Sequence, residues 1–502
     1  MSNDAEHLSV DDLYQHLFEG ADIIRNKVSE EYYKTYILPL VFYKAIDDTY
    51  QDRYEEALEE IGDEDLAKDE AWHDVIIPDE YRWEEALDQN SGLDVWMDKA
   101  LTRIEKENEQ LQGVFNASYS DASAINHAEI KQLIEHLNTK SLSLERVEPD
   151  ILGEAYMRLV ARFASKEGKS GGQFFTPREI ADVMSNVLSP DKPSTVYDPT
   201  VGSGGLLISM ADHYDDNTDG DAKQDLTLKG QEISPQIYPI AKMNLFLHDY
   251  NGEVEREDTL SNPQFTEDGG LETFDYLVAN PPFSWNWDKD AGKNDPYGRY
   301  QWGMARKDRA DYAFIQHMIR SLNDSGKMAC VIPHGVLFRK YESKYREGML
   351  EGQGDKFDGN IVDAIIGLPE NLFHDISIPS ALLIIDRDQP VERQDQVLFI
   401  HADQESFYEE KSNHNKLTED GMQQIADIYH DYKTVERTSR AVGLDEIREN
   451  DYNLNIALYV DTTEPEEDID VKEELKELRE LQEEREEIEA TMTEHMEALG
   501  YE

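Results

Sequence analysis

Apolar residues in the first sixty positions recur at helical spacing, with Leu13 and Leu17 on one stripe and Ile37, Val41 and Ala45 on another. From Val10 to Glu60 the pattern predicts helices. The stretch to about Lys166 continues in the same manner, with Trp72, Trp83 and Trp96 available to fill a core. Residues 1–165 are therefore read as a mostly helical domain. No paired acid, base or nucleophile is recognisable there, so packing or docking is its expected role. Beyond it the pattern changes to short apolar runs at Ser194–Tyr197, Leu226–Lys229, Phe274–Ala279, Gly326–Pro333, Asp363–Gly367 and Leu382–Asp386. Helical stretches alternate with them, at Ser234–His248 and from Asp311 onward, which predicts an α/β domain over residues 166–463. Thr176-Pro177-Arg178-Glu179 reads as a capping box with proline at the first helical position. Residues 464–502 differ again. An acidic linker, Glu464–Asp470, precedes a helix with Leu478, Leu481, Ile488, Met492 and Leu499 near three-four spacing, interrupted by Arg485 and His495.

Polar residues at two strand ends carry the candidate chemistry. The run Phe274–Ala279 ends in Asn280-Pro281-Pro282-Phe283, where two prolines remove two backbone donors and stop both sheet and helix. What remains is an acceptor cluster. The Asn280 side-chain oxygen and the Pro281 carbonyl suit the two N–H groups of a planar amine, and Phe283 offers a face for stacking. Upstream, Ser194–Tyr197 leads into Asp198-Pro199-Thr200-Val201-Gly202-Ser203-Gly204-Gly205, a strand, a glycine-rich turn and the opening of a helix. Glycine lets a ligand approach the backbone closely. This is not the Gly-x-Gly-x-x-Gly dinucleotide fingerprint, and Asp198 disfavours a pyrophosphate while suiting a cationic or hydroxyl-bearing ligand. Glu232 ends the second strand of a Rossmann-like sheet, the position that bonds ribose hydroxyls. Gly168-Lys169-Ser170 mimics the end of a phosphate loop, but Phe163 stands where that loop needs glycine, which argues against ATP hydrolysis.

Charge adds an environment. The 502 residues hold 108 acidic against 48 basic side chains, a net charge of -60. Aromatic and aliphatic motifs are too frequent for disorder. Such an excess of carboxylates suits molar salt, where the Debye length is about 3 Å and self-repulsion is screened. A salt-loving source is expected. No run reaches membrane-spanning length and the acidic N-terminus lacks a signal-peptide apolar region, so a cytoplasmic protein is expected. The single cysteine, Cys330, rules out an internal disulfide and a cysteine-based metal site.

Asp198-Pro-x-x-Gly-Ser-Gly together with Asn280-Pro-Pro-Phe resembles the S-adenosylmethionine site and catalytic loop of amino-directed DNA methyltransferases. More closely, the chain resembles the modification (M) subunit of type I restriction-modification systems. The likeness runs from Ala21–Arg25 and Tyr36–Leu38 through Gly172-Gln173-Phe174-Phe175-Thr176-Pro177-Arg178, Gly367-Leu368-Pro369 and Ile378-Pro379-Ser380 to Asp451-Tyr452-Asn453-Leu454-Asn455. It departs at Asn455-Ile456-Ala457-Leu458-Tyr459, where the family has Asn-Ile-Pro-Arg-Tyr. The resemblance implies a Rossmann-like S-adenosylmethionine-dependent methyltransferase domain preceded by a helical domain and followed by a helical tail. It implies methylation of adenine N6 in DNA, with no metal. Asn280, Pro281, Pro282 and Phe283 would be catalytic. Phe175, Thr176 and Pro177 would lie against the cofactor's methionine end, with Asp198, Gly202, Ser203, Gly204 and Glu232 holding the cofactor and Asp258 bonding its adenine amine. The Trp285–Arg309 segment reads as a mobile loop over the target base, and Asp311 and Phe314 either border the pocket or simply pack. Partners implied are DNA, a specificity (S) subunit, a second M subunit and a restriction (R) subunit, with the tail helix docking. N4-cytosine methylation and glutamine-N5 methylation of a protein use similar pieces and stay open.

Overall fold

The computed structural model describes residues 8–24, 30–121, 125–144, 146–148, 151–155, 158–159, 176–352, 359–373, 379–411, 414–462 and 471–498. Two units separate, Met1–Val460 and Asp461–Glu502.

The first unit opens with helices Val10–Ile24 and Glu30–Ile61, followed by shorter ones up to His127–Leu137. Leu13, Leu17, Val41, Phe42 and Ala45 are all buried, as their spacing requires. Trp83 is buried against Tyr43 at 5.1 Å. Trp96 is half-buried, and Trp72, expected in the core, is 39% exposed on a single turn of 3-10 helix. Ile240, Met243 and Leu247, from a helix of the following α/β part, complete this helical core.

Thirteen strands follow, β1 (Ser194–Asp198), β2 (Leu226–Gln231), β3 (Gly252–Glu255), β4 (Thr266–Glu267), β5 (Gly270–Leu271), β6 (Phe274–Ala279), β7 (Leu322–Pro333), β8 (Val362–Gly367), β9 (Ser380–Asp386), β10 (Gln396–His401), β11 (Tyr408–Glu410), β12 (Asn415–Leu417) and β13 (Ser439–Gly443). Nine of them form one sheet in the order β13-β10-β8-β9-β7-β6-β1-β2-β3, and β4-β5 and β11-β12 are small hairpins. Strands β3, β2, β1, β6 and β7 run parallel; β9 is antiparallel to both of its neighbours. The chain moves outward from β1 through β2 to β3, then returns to the other side of β1 as β6. That reversal opens a crevice at the carboxyl ends of β1 and β6, the standard ligand site of an open α/β sheet.

All six apolar runs are strands, five of them lengthened at one end and Phe274–Ala279 unchanged. Strand β10 carries the same apolar signature as β8 and extends the sheet, whereas β3 and β13 are edge strands. With only Val254 of Gly252–Glu255 buried, β3 has no apolar run to announce it. The helix expected over Ser234–His248 starts only at Tyr238, with Pro239 at its first turn. Cys330 lies wholly buried in β7, and burial pushes its thiol up.

In the second unit, Val471–Ala498 is one helix with Leu478, Leu481, Ile488 and Met492 each more than half exposed. Leu499 lies outside the described residues. Among the described residues no helix is long and apolar enough to cross a membrane.

Candidate active site

The turn after β1 holds Gly202 at φ +54° and Gly204 at φ +88°, left-handed values that only glycine takes up freely. Gly202 and Ser203 line a pocket at the crevice. Gly204 turns away from it, since a side chain there would approach the backbone of Ala241. The Ser203 carbonyl accepts from Asn244 Nδ2 at 2.8 Å, which ties the turn to the helix Tyr238–Leu247. Glu232, one residue past β2, holds the turn from the other side. Its Oε2 accepts from Gly202 N at 3.1 Å and its Oε1 from Ser234 N at 2.7 Å.

Asp198 is 1% exposed. Its Oδ1 accepts from Thr200 N at 2.8 Å, while Oδ2 is buried in the pocket wall with no hydrogen-bond partner. Burial pushes this carboxyl up to about 8, the Thr200 N–H opposing and the nearby Glu232 carboxylate adding to the rise. Burial likewise raises Glu232 to about 7, against the N–H groups of Ser234 and Gly202. An orphaned, buried acceptor of this kind calls for a donor from a ligand.

Asn280 closes the same pocket from the end of β6. Its Nδ2 donates to Thr176 Oγ1 at 3.0 Å, across 104 positions of sequence, leaving Oδ1 as the acceptor on offer. This corrects the capping-box expectation. The helix Arg178–Leu188 has Pro177 itself at the N-cap with no side-chain cap bond, and the Thr176 hydroxyl serves Asn280 instead. Pro282 lines the pocket. Pro281, between the lining residues Asn280 and Pro282, is buried and not itself in the lining. Phe283 is half-buried beside the apolar cluster under the sheet, edge-on to Phe373 at 6.2 Å. Asp258 lines the pocket, its carboxylate accepting from Leu260 N at 3.0 Å and Ser261 Oγ at 2.6 Å to form a tight turn. Pro177 is not in the lining, and Phe175 lies outside the described residues.

Four further residues belong to the site, Gln231, Thr259, Trp285 and Phe314. Gln231, fully buried, donates to the carbonyls of Glu257 and Asn262, both at 3.1 Å, and so anchors the loop that presents Asp258. Thr259 Oγ1 donates to the Pro199 carbonyl at 2.5 Å and clamps that loop to the β1 turn. Trp285, 38% exposed, lines the rim near Asn280, and Phe314 lines the wall. Sequence neighbours of Glu232 and Asp258 are the only signal for the first two. Nothing in the sequence marks Trp285, which sits in an aperiodic polar stretch.

That stretch also departs from the expected mobile loop. Trp287 is 3% exposed and donates from Nε1 to the Arg306 carbonyl at 2.8 Å. Arg299 is buried, paired with Asp295 at 2.8 Å and donating to the carbonyls of Thr259 and Leu260. Its aromatic and guanidinium side chains give residues 285–309 an anchored core that their lack of periodicity concealed. The one group of three metal-capable side chains found among the described residues, His16, Glu19 and His136, lies in the helical part. The two imidazoles stack at 4.3 Å, and His136 Nε2 donates to the His16 carbonyl at 2.9 Å.

A doubly wound sheet with a glycine-rich turn, two strand-end carboxylates and an Asn-Pro-Pro loop in one crevice defines an amino-directed methyltransferase. The N-6 DNA methylase family model matches residues 147–468, and the HsdM N-terminal domain model residues 13–137. The MjaVII type I restriction enzyme methylase subunit of Methanocaldococcus jannaschii is 32% identical over 499 residues, covering 93% of this chain and 80% of that protein. The HindI methylase subunit of Haemophilus influenzae is 29% identical over 436 residues, covering 82% and 94%. Among solved structures, the type I restriction-modification methyltransferase subunit from Streptococcus thermophilus matches 91% of this chain and all of that one, with a TM-score of 0.73 at 27% identity. The chain belongs to the N-6 DNA methylases. Within that class it is a methylase subunit of the type I restriction-modification kind, adenine N6 being the atom modified.

Proposed function

We infer that this chain moves a methyl group from S-adenosylmethionine to the N6 of an adenine turned out of duplex DNA, as the M subunit of a type I complex. The carrying observation is that one pocket is lined by Asn280, the glycine-rich turn and Asp198, whose Oδ2 has no hydrogen-bond partner. The residues present fit the cofactor. A buried acceptor suits its cationic amino group, Glu232 keeps lone pairs for ribose hydroxyls after accepting two backbone N–H groups, and Asp258 stands at the third strand's loop for an exocyclic amine. Bound there, S-adenosylmethionine supplies an already activated methyl electrophile. The chain's own task is orientation. Thr176 holds the Asn280 amide so that Oδ1, with the Pro281 carbonyl, accepts both N–H groups of the target amine and favours a more tetrahedral nitrogen. The base must leave the stack to reach them, and Phe283 is the proposed surface for it.

Product analysis tests this reading. The full chain, incubated with its specificity partner, duplex DNA and methyl-labelled cofactor, should give labelled N6-methyladenine on digestion. Label in N4-methylcytosine, or in a protein glutamine and not in DNA, would move the assignment to one of the two alternatives.

The two carboxyls also set a pH dependence. Both are raised in the folded protein, so the folded state holds protons that the unfolded chain releases, and stability of the empty protein falls as pH rises from about 4 towards 8. A donor delivered to Asp198 favours its charged form. Cofactor binding should therefore release protons, and affinity should rise as pH climbs through 7 to 8. Calorimetry in two buffers of different ionisation enthalpy measures this; binding with no proton release would contradict the placement at Asp198.

The division of labour proposed is docking by residues 1–165, catalysis by 166–463, and partner binding by 464–502, where exposed Leu478, Leu481, Ile488 and Met492 await a groove on an S subunit or second M subunit. No recognition module is evident in the sequence, so site choice is assigned to the S subunit and cleavage to an R subunit. Relatives come from an archaeon and from bacteria. The salt-loving reading rests on the charge of -60 and the cytoplasmic one on the lack of a membrane-length apolar run, while an archaeal source has no support from these relatives.

A further inference from the structure

Cations are scarce in this chain and unevenly placed. Residues 285–346 hold 12 Lys and Arg against seven Asp and Glu, in a protein with 48 against 108 overall. Two of those arginines are buried in structural roles, Arg299 on Asp295 and the carbonyls of Thr259 and Leu260, and Arg346 on the carbonyls of Val336, Arg339 and Tyr452. Others reach the surface together. Lys307, Lys340 and Lys344 are exposed, and among the described residues neither they nor Arg309 has a carboxylate partner. Arg306 lies over the Tyr341 ring at 5.1 Å, and a side chain on Gly303 would meet Lys344 Nζ. These contacts join residues 303–309 to residues 340–344 as one face. Phe338 and Tyr341, 47% and 43% exposed, stand among the cations.

This face is coupled to the pocket. Ala310 N donates to the Trp285 carbonyl at 3.1 Å and Trp287 N to the Lys307 carbonyl at 3.0 Å, so the cationic turn 306–309 runs beside the rim residue Trp285. Asp311, next in sequence, accepts from Ser284 N at 3.2 Å and lies 3.7 Å from Arg339, which fixes the Asn280 loop to the same face.

We propose that the face formed by Lys307, Arg309, Lys340 and Lys344, with Tyr341, is where this chain grips the phosphates of duplex DNA on either side of the adenine presented to Asn280. The proposal rests on the DNA-methylase reading. Outside residues 285–346 the chain is strongly acidic overall and repels a polyanion, so a duplex is steered to a face where cations prevail, beside the rim of the pocket. Phosphate contacts position the duplex without reading sequence, which leaves recognition to a partner. With few cations against a repelling background, the grip is weak alone and strongly dependent on salt.

The test uses the full-length chain and a fluorescent 30-base-pair duplex (length about three helical turns), titrated at several salt concentrations. Each lost phosphate contact should flatten the slope of log affinity against log salt by about 0.9. The variant Lys307→Glu/Lys340→Glu/Lys344→Glu should therefore lose roughly two to three units of slope and need far more DNA for half-maximal methyl transfer, with cofactor affinity unchanged. Lys99→Glu, exposed in the helical part, should behave as the unaltered chain. An unchanged slope in the triple variant, or no DNA binding by the unaltered chain, overturns the proposal, as does equal competition by single-stranded RNA. So does a change of oligomeric state in ultracentrifugation without a change of slope, which would give the face to an acidic protein surface. Methyl transfer to DNA by the unaltered chain with its specificity partner reports separately on the methylase reading, which survives failure of the face.

Discussion

Replacing Asn280 by alanine should lower the rate of methyl transfer by roughly a hundred- to a thousandfold, the range seen when one preorganised polar group at a reacting centre is removed. Cofactor affinity should stay unchanged. The asymmetry follows from position. The Asn280 amide hangs from the end of β6 and is tied by Thr176, whereas the turn holding Gly202 and the carboxylates of Asp198 and Glu232 belong to β1 and β2. No core packing is lost, because Asn280 is only half-buried. Thr176→Val should show a smaller loss of the same kind, since it removes the acceptor that fixes the amide's orientation while keeping its shape. Single-turnover transfer and calorimetric cofactor binding, measured on the same samples, decide the matter. Turnover retained in Asn280→Ala would remove the catalytic assignment.

Gly202→Val should abolish cofactor binding and turnover together. At φ +54° a β-branched residue is a steric outlier, with a strain of about 1–3 kcal/mol, and the turn relaxes only by pulling its N–H from Glu232 Oε2. The isopropyl group also enters the pocket wall. Because Glu232 loses a donor while staying buried, the whole carboxylate arrangement shifts. Gly202→Ala, without the branch, should fall between the two. Unaltered affinity by calorimetry in the valine variant, with melting confirming a folded protein, would refute the placement of the turn against the cofactor. Since Asn280→Ala and Gly202→Val are expected to separate transfer from binding, the pair also distinguishes the two halves of the pocket.

Much of this site was legible before folding was considered, for a local reason. Asp198, Gly202, Glu232 and Asn280 each sit where a short apolar strand stops and a helix or turn begins, and a strand's end is encoded by the residues that stop it. A parallel sheet aligns those ends on one edge, so finding the strands was nearly enough to assemble the carboxylates, the turn and the amide. Apolar spacing did the same for the N-terminal helices, where Leu13, Leu17, Val41 and Ala45 are buried because their spacing leaves one stripe to hide.

What the sequence alone determined, then, was the order of elements and the polar residues at their tips. Only the tertiary structure decided which groups meet across long separations. Thr176 carries the signature of a helix cap, yet its hydroxyl meets Asn280, because helix Arg178–Leu188 packs across β7 and its start falls beside the end of β6. Trp72 and Trp83 look alike in sequence, and the fold buries one and exposes the other. Residues 285–309 lack any period, yet Trp287, Trp302 and Arg299 find partners in distant elements and give the segment a fixed face. Periodicity reports which side of an element is apolar; it carries no information on which other element, hundreds of residues away, supplies the matching surface or the missing hydrogen-bond partner.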